Sequence, residues 1–276
     1  MKKHISAIIL VLLFVIGLSL LLYPSLSDWW NSFHQTQAIT YYMEQLADMD
    51  ETQYEQLWQS AWAYNDSLVP RTNQYILSSE QKANYHQLLN VAGDGIMGYV
   101  EIPKINVMLP IYHGTEESAL QVAIGHLEWT SLPVGGESSH CVISGHRGLP
   151  SARLFTDLPQ LEIGDTFTLT ILDEVLTYQV DQIRIVEPQE TEELLIQEGK
   201  DLCTLMTCTP YGINSHRMLV RGSRIETVEA PVVRPIVADA SQLDPVVVAP
   251  LLAAPILLGL LIALMVPKSK KKNKEK

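Results

Sequence analysis

Three residue types in this chain can do covalent chemistry together: a cysteine, an arginine nine residues after it, and one of several histidines. In residues 204–222, "TLMTCTPYGINSHRMLVRG", an apolar and β-branched run ends at Cys208. Pro210-Tyr211-Gly212 then turns the chain, and a second run begins near Arg217. A hairpin of that length can set the Arg217 guanidinium beside the Cys208 thiol. A fixed cation beside a thiol favours the thiolate, and a guanidinium fork can hold a carbonyl oxygen or the oxyanion it becomes. A Cys nucleophile also needs a proton partner, most often His. His146 stands in Ser144-Gly145-His146-Arg147-Gly148, where flanking glycines let the backbone turn tightly after the apolar run "CVIS". His126, in "IGHLEWTS", and His216, adjoining Arg217, are its rivals, and spacing alone does not choose among the three. A buried core Cys followed by a surface Arg is the bland alternative for the pair itself.

Positioning these groups falls to short strands. After the Gly93-Asp94-Gly95 turn the chain reads "MGYVEI", "INVMLPIY", "HCVIS", "TFTLTI", "VLTYQVDQIRIV", "LCTLMT" and "RMLVRGSRI", each bounded by turn residues. Seven or eight strands are implied, with short helices over 116–122 and 192–196. That spacing fits a closed or nearly closed β-barrel better than a βαβ repeat. Upstream, residues 36–65 hold no Gly or Pro and repeat aromatic and aliphatic residues every three or four positions, which predicts one or two amphipathic helices. Residues 66–80, with Pro70, read as an irregular connection, and "QKANYHQLLNV" as a short further helix.

Both ends of the chain are apolar. Residues 5–23 form an uncharged run that, at about 1.5 Å per residue, crosses a hydrocarbon core of roughly 30 Å. Lys2 and Lys3 precede it and no small-x-small cleavage site follows, so an uncleaved signal anchor is expected. A second run over 246–266 is followed by Pro267 and "KSKKKNKEK". The lysines flanking both runs place the tails, 1–4 and 267–276, in the cytoplasm. Outside lie a helical segment with a lid-like region (24–92), a catalytic barrel (93–226) and a Pro- and Val-bearing linker (227–245). Because the tails are basic, the part between them is more acidic than the chain's net −12. That argues against nucleic acid or anionic lipid as a binding partner and suits a lysine-presenting one. Cys141, Cys203 and Cys208 are an odd number for an oxidising compartment, so at least one thiol stays free or pairs with another chain. Cys141 and Cys203 read as small core residues. No metal-ligand spacing is recognisable, and the chemistry needs no metal or organic cofactor.

The segments "GYVEIPKINVMLPIYHGT", "GHLEWTSLPVGG", "SGHRGLPSARLFTDL" and "TLMTCTPYGINSHRMLVRG" resemble class C sortases, the pilus-assembling branch, in order and spacing from about residue 95 to 225. The helices before the barrel and the second span after it are similar to that branch as well. The resemblance implies a mainly β fold: the eight-stranded sortase β-barrel with short helices, N-terminal amphipathic helices and two flanking transmembrane helices. It implies Cys208 as nucleophile, His146 as general acid and base, and Arg217 as the arginine that positions substrate and oxyanion, leaving His126 and His216 aside. It also implies a Leu-Pro-x-Thr-Gly sorting signal cleaved between Thr and Gly, with pilin subunits as partners. A Lys amine would be the acceptor, on the outer face of a Gram-positive cell membrane. One departure stands out. Class C sortases usually carry an Asp-Pro-aromatic lid motif that plugs the site, and no such triplet occurs between Asn65 and Tyr85, so the resting site is expected not to be occluded in the usual manner.

Two other readings use the same features. A wall-anchored surface protein also ends in an apolar stretch and a basic tail, but it needs Leu-Pro-x-Thr-Gly just before that stretch, where this chain has "DPVVVAP". A hydrolytic cysteine protease would employ the same Cys and His and pass the acyl group to water.

Overall fold

A computed structural model describes residues 2–68 and 77–227 and the positions 255, 258 and 259. Most of the second apolar run, the linker leading to it and residues 69–76 of the lid-like region therefore lie outside the described residues. The first apolar run does not stop at Pro24: a single helix, α1 (Lys2–Ala47), continues through it. A proline inside a helix forfeits one backbone hydrogen bond, and here the far half of the helix is pinned to the body of the protein. Ile39 and Tyr42 are fully buried. The Tyr42 hydroxyl donates to the Met97 carbonyl at 3.0 Å and accepts from the Leu172 amide at 2.8 Å. Burial pushes that phenol's pKa up, so it stays a neutral donor. Nearer the apolar end, Gln35 Nε2 donates to the Val122 carbonyl at 2.5 Å, and Asn31 Nδ2 donates to the Ser151 carbonyl at 2.7 Å. The Asp28 carboxylate accepts from the Arg153 amide at 2.7 Å.

The amphipathic stretch expected over 36–65 is thus divided. Its first part is the end of α1, and its second is α2 (Glu51–Leu68), opened by Asp50, whose carboxylate accepts from the Gln53 amide. α2 buries Trp58, Ala61, Tyr64 and Leu68, and Asn65 exchanges two hydrogen bonds with the Leu132 backbone. A short helix, α3 (Ser79–Tyr85), starts at a capping box in which Ser78 and Gln81 satisfy each other's amides, and ends on the buried Tyr85.

The rest is a barrel. Its elements in chain order are β1 (Ile96–Ile102), β2 (Val107–His113), α4 (Glu117–Leu120), β3 (Ile124–His126), β4 (Ser139–Ser144), β5 (Thr166–Ile171), β6 (Glu174–Val186), β7 (Asp201–Thr209) and β8 (His216–Arg224). The strands close in the order β1-β2-β3-β4-β7-β8-β6-β5. The β2/β3 and β4/β7 pairs are parallel and the others antiparallel. Alternation on β5 sends Phe167, Leu169 and Ile171 inward, and the Phe167 ring stacks on Tyr178 of β6 with centroids 5.6 Å apart. Seven strands coincide with the apolar runs of the sequence. The eighth, β3, is three residues long and holds Gly125 and His126, so no run announces it; pairing with β2 and β4 makes it a strand.

Candidate active site

The site is built where β4, β7 and β8 end together. β4 and β7 run in parallel register, with Ser144 opposite Met206. The pairing continues one step further: the Gly145 amide donates to the Met206 carbonyl at 3.0 Å, and Thr207 Oγ1 donates to the Gly145 carbonyl at 2.8 Å. His146 and Cys208 each follow two residues after the last paired couple, and Cys208 is the direct antiparallel partner of Arg217. His146, Cys208 and Arg217 therefore form one row across three neighbouring strand ends.

Pleat parity decides which way the row faces. Cys203 and Leu205 of β7 and Met218 and Val220 of β8 belong to the barrel core. Met206 and Leu219, at the other parity, pack in a separate small cluster with Val142 and Leu194 on the outer face. Cys208 and Arg217 share that outer parity. Cys208 is partly exposed, whereas Cys141 and Cys203 are buried. Among the described residues no carboxylate pairs with Arg217, whose Nη1 donates to the carbonyls of Asn214 at 3.2 Å and His216 at 3.1 Å. Its guanidinium is thus tied to the hairpin's own backbone, on the residue that β8 places opposite Cys208.

Local packing holds the histidine loop. The His146 carbonyl accepts from the Phe155 amide at 3.1 Å, and Arg147 Nη1 donates to Thr209 Oγ1 at 3.3 Å, tying this loop to the end of β7. Two glycines are needed for the close approach. A Cβ on Gly145 would stand 2.7 Å from the Phe155 ring, and one on Gly148, which has φ +79°, would stand 2.4 Å from the Tyr211 ring. His146 Nε2 is buried and makes no hydrogen bond among the described residues. The nearest acid is Glu117 of α4, with Oε2 at 3.7 Å. Nε2 thus faces the Glu117 carboxylate without a hydrogen bond among the described residues.

The rival histidines have other duties. His126 is fully buried; its Nδ1 accepts from the Tyr85 hydroxyl at 2.9 Å and its Nε2 donates to the Ser131 carbonyl at 2.8 Å. Tyr85 in turn accepts from the Gly114 amide at 3.0 Å, so His126 is part of a satisfied core network. His216 pairs with Thr209 at the opposite pleat from Cys208, and its Nδ1 lies 2.8 Å from Ser215 Oγ. Cys141 and Cys203 face each other across β4 and β7 inside the core, and burial pushes the Cys203 thiol well above its ordinary range. Sequence reasoning missed Glu117, Arg147 and Tyr211. Their only signal was adjacency to motif residues, because contacts between α4, the histidine loop and the β7–β8 hairpin depend on barrel closure. Among the described residues, no group of three or more His, Cys, Asp or Glu is placed to hold a metal ion.

Comparison with known proteins bears on the family. The family model described as "Sortase domain" matches residues 100–225. The structure of sortase C1 from Streptococcus agalactiae is 49% identical with a TM-score of 0.68, covering 69% of this chain and 99% of that one. Sortase C from Streptococcus pneumoniae is 47% identical with a TM-score of 0.63, covering 69% of this chain and 97% of that one. Sortase D of Bacillus subtilis is 33% identical over 131 residues, which is 46% of this chain and 63% of that relative's length. Identity at this level across the whole sortase C1 chain, on a closed eight-stranded barrel, establishes that the chain belongs to the sortase family of cysteine transpeptidases, in its class C branch.

Proposed function

We propose that the chain is a membrane-anchored transpeptidase that cleaves Leu-Pro-x-Thr-Gly-like sorting signals and joins the acyl part to a Lys amine, building covalent pili from pilin subunits. The observation that carries this reading is the row His146, Cys208, Arg217. The Cys208 thiolate attacks the Thr carbonyl carbon, and the oxyanion that forms is steadied by the Arg217 guanidinium. Protonated His146 gives its proton to the Gly nitrogen as the peptide bond breaks, leaving a thioester on Cys208. The incoming amine attacks that thioester, His146 takes up its proton, and Cys208 leaves as thiolate. The protein uses no other co-reactant.

Anchoring is supported by α1, which from Ile9 onward is long and apolar enough to cross a membrane. With the lysine-bearing ends of the sequence, it supports a catalytic barrel outside the cell and both termini in the cytoplasm. Product analysis tests the reaction. With a Leu-Pro-x-Thr-Gly peptide and an amine acceptor, most cleaved acyl groups should appear as the amide; free acid as the main product at saturating amine would favour the hydrolytic protease instead.

A further inference from the structure

The helix that carries the apolar run is the same helix that packs on the barrel, and this has a geometric consequence. If residues 5–23 span the hydrocarbon core, as the proposed topology requires, the core ends near Tyr23. Asp28 then lies about 8 Å further along the helix, within or at the edge of the headgroup layer. Asp28 and Asn31 are bound to Arg153 and Ser151, in the loop that leaves His146. Gln35 is bound to Val122 beside α4, and Tyr42 to the barrel wall. The barrel is thus fixed at several points along one continuous helix, with no linker between it and the apolar run.

The residues at that height suit an interface. Leu26, Trp29 and Trp30 are each more than half exposed, and Trp is the side chain most at home at the membrane–water boundary. The loop itself is not acidic: residues 144–153 contain Arg147 and Arg153 and no Asp or Glu, the Arg153 guanidinium being paired with Asp157 at 2.6 Å. His146 is five residues from Ser151, so even a fully extended chain would keep them within about 17 Å.

We propose that α1 is a strut that seats the loop after His146 on the lipid headgroup layer, holding the active-site edge at the height where a membrane-embedded peptide presents its scissile bond. A sorting signal followed by its own apolar span is confined to that height, so enzyme and substrate meet in a thin layer rather than in free solution. The gain is in effective concentration, set by the fixed geometry of both partners.

Inserting ten Gly-Ser residues after Ser27 tests this, because it keeps every helix-to-barrel contact while adding a slack of about 17 Å. The full chain and the insertion variant are placed in bilayers of phosphatidylcholine and phosphatidylglycerol. Each receives a soluble Leu-Pro-x-Thr-Gly peptide or the same motif fused to an apolar span in the same bilayer. Soluble-peptide turnover should agree within twofold, while turnover of the embedded substrate should fall at least tenfold in the variant. Neutron reflectometry should show barrel density touching the headgroups in the full chain and a water layer between them in the variant. Equal turnover of the embedded substrate by both proteins, or a water layer under the unmodified chain, would overturn the strut. If the chain fails to remain in the bilayer, the anchor reading falls and the strut with it. Loss of all turnover on both substrates, with reflectometry as expected, would instead remove the sorting-signal reading and leave the seating intact.

Discussion

The same three strands carry two rows of residues five positions apart, and the rows have opposite fates. Cys141, Cys203 and Gly222 form one row across β4, β7 and β8, buried in the barrel core. His146, Cys208 and Arg217 form the other, at the strand ends. Five is odd, so a step of five along a strand turns a side chain to the other face. Two cysteines on one strand thus become a buried core thiol and a partly exposed thiol on the residue paired with Arg217. Parity is necessary but not sufficient. His140 has the outer parity of Val142, yet Leu195 and Thr204 enclose it, accepting or sharing its ring hydrogen bonds at 2.9 and 2.8 Å. The strand end matters because the outer cluster of Val142, Leu194 and Leu219 stops short of it.

Removing each thiol in turn separates the two rows by the largest effect. Cys208→Ala should abolish both thioester formation and polymer, with the fold kept. Cys203→Ala should leave turnover within about threefold while costing roughly 1–2 kcal/mol of stability for the small cavity. Equal loss of activity in a folded Cys203→Ala protein would dissolve the distinction between the rows. Arg217→Lys comes next: it keeps the charge but not the planar fork, and kcat should drop about 10²- to 10³-fold, the usual effect of losing an oxyanion donor. Wild-type kcat in that variant would mean that charge alone suffices.

A smaller effect concerns His140. Burial holds its pKa down at about 4, below the roughly 6.5 of an unfolded chain. The folded state then binds fewer protons than the unfolded one, so this contribution to stability is complete above pH ~6.5 and is lost as pH falls toward 4. Between pH 7 and pH 5 it should amount to about 2 kcal/mol. Burial lowers His113 as well, which adds in the same direction. Urea unfolding of wild type and His140→Gln at the two pH values should show a shallower loss in the variant; identical losses would place the acid sensitivity elsewhere.

Much of this arrangement was legible beforehand, for physical reasons that differ by region. Strands buried on one face must show apolar and β-branched runs, so seven were readable. β3 was not, because Gly125 and His126 are in a strand only through their neighbours. The continuation of α1 through Pro24 was also hidden. Local propensity argues for a break there, and what sustains the helix beyond it is Ile39, Tyr42, Gln35 and Asn31 meeting partners far away in the chain. For the site, Cys208 and Arg217 were readable as a pair because a hairpin links them in sequence. His146 arrives from 62 residues away through the β4/β7 register. Its glycine-flanked place after a strand made it stand out, but spacing alone did not select it over His126 and His216; the family resemblance implies it, and in the structure His126 is held in the core by Tyr85 and Ser131.

Which sulfur carries the acyl group decides the mechanism most directly. The chain should be mixed with a Leu-Pro-x-Thr-Gly peptide without amine acceptor, quenched in acid, digested and read by mass spectrometry. A hydroxylamine-labile adduct of the peptide, lacking the residues from Gly onward, should appear on the fragment containing Cys208 and on no other. An adduct on Cys141 or Cys203, or cleaved peptide with no adduct formed at any time after mixing, would contradict it.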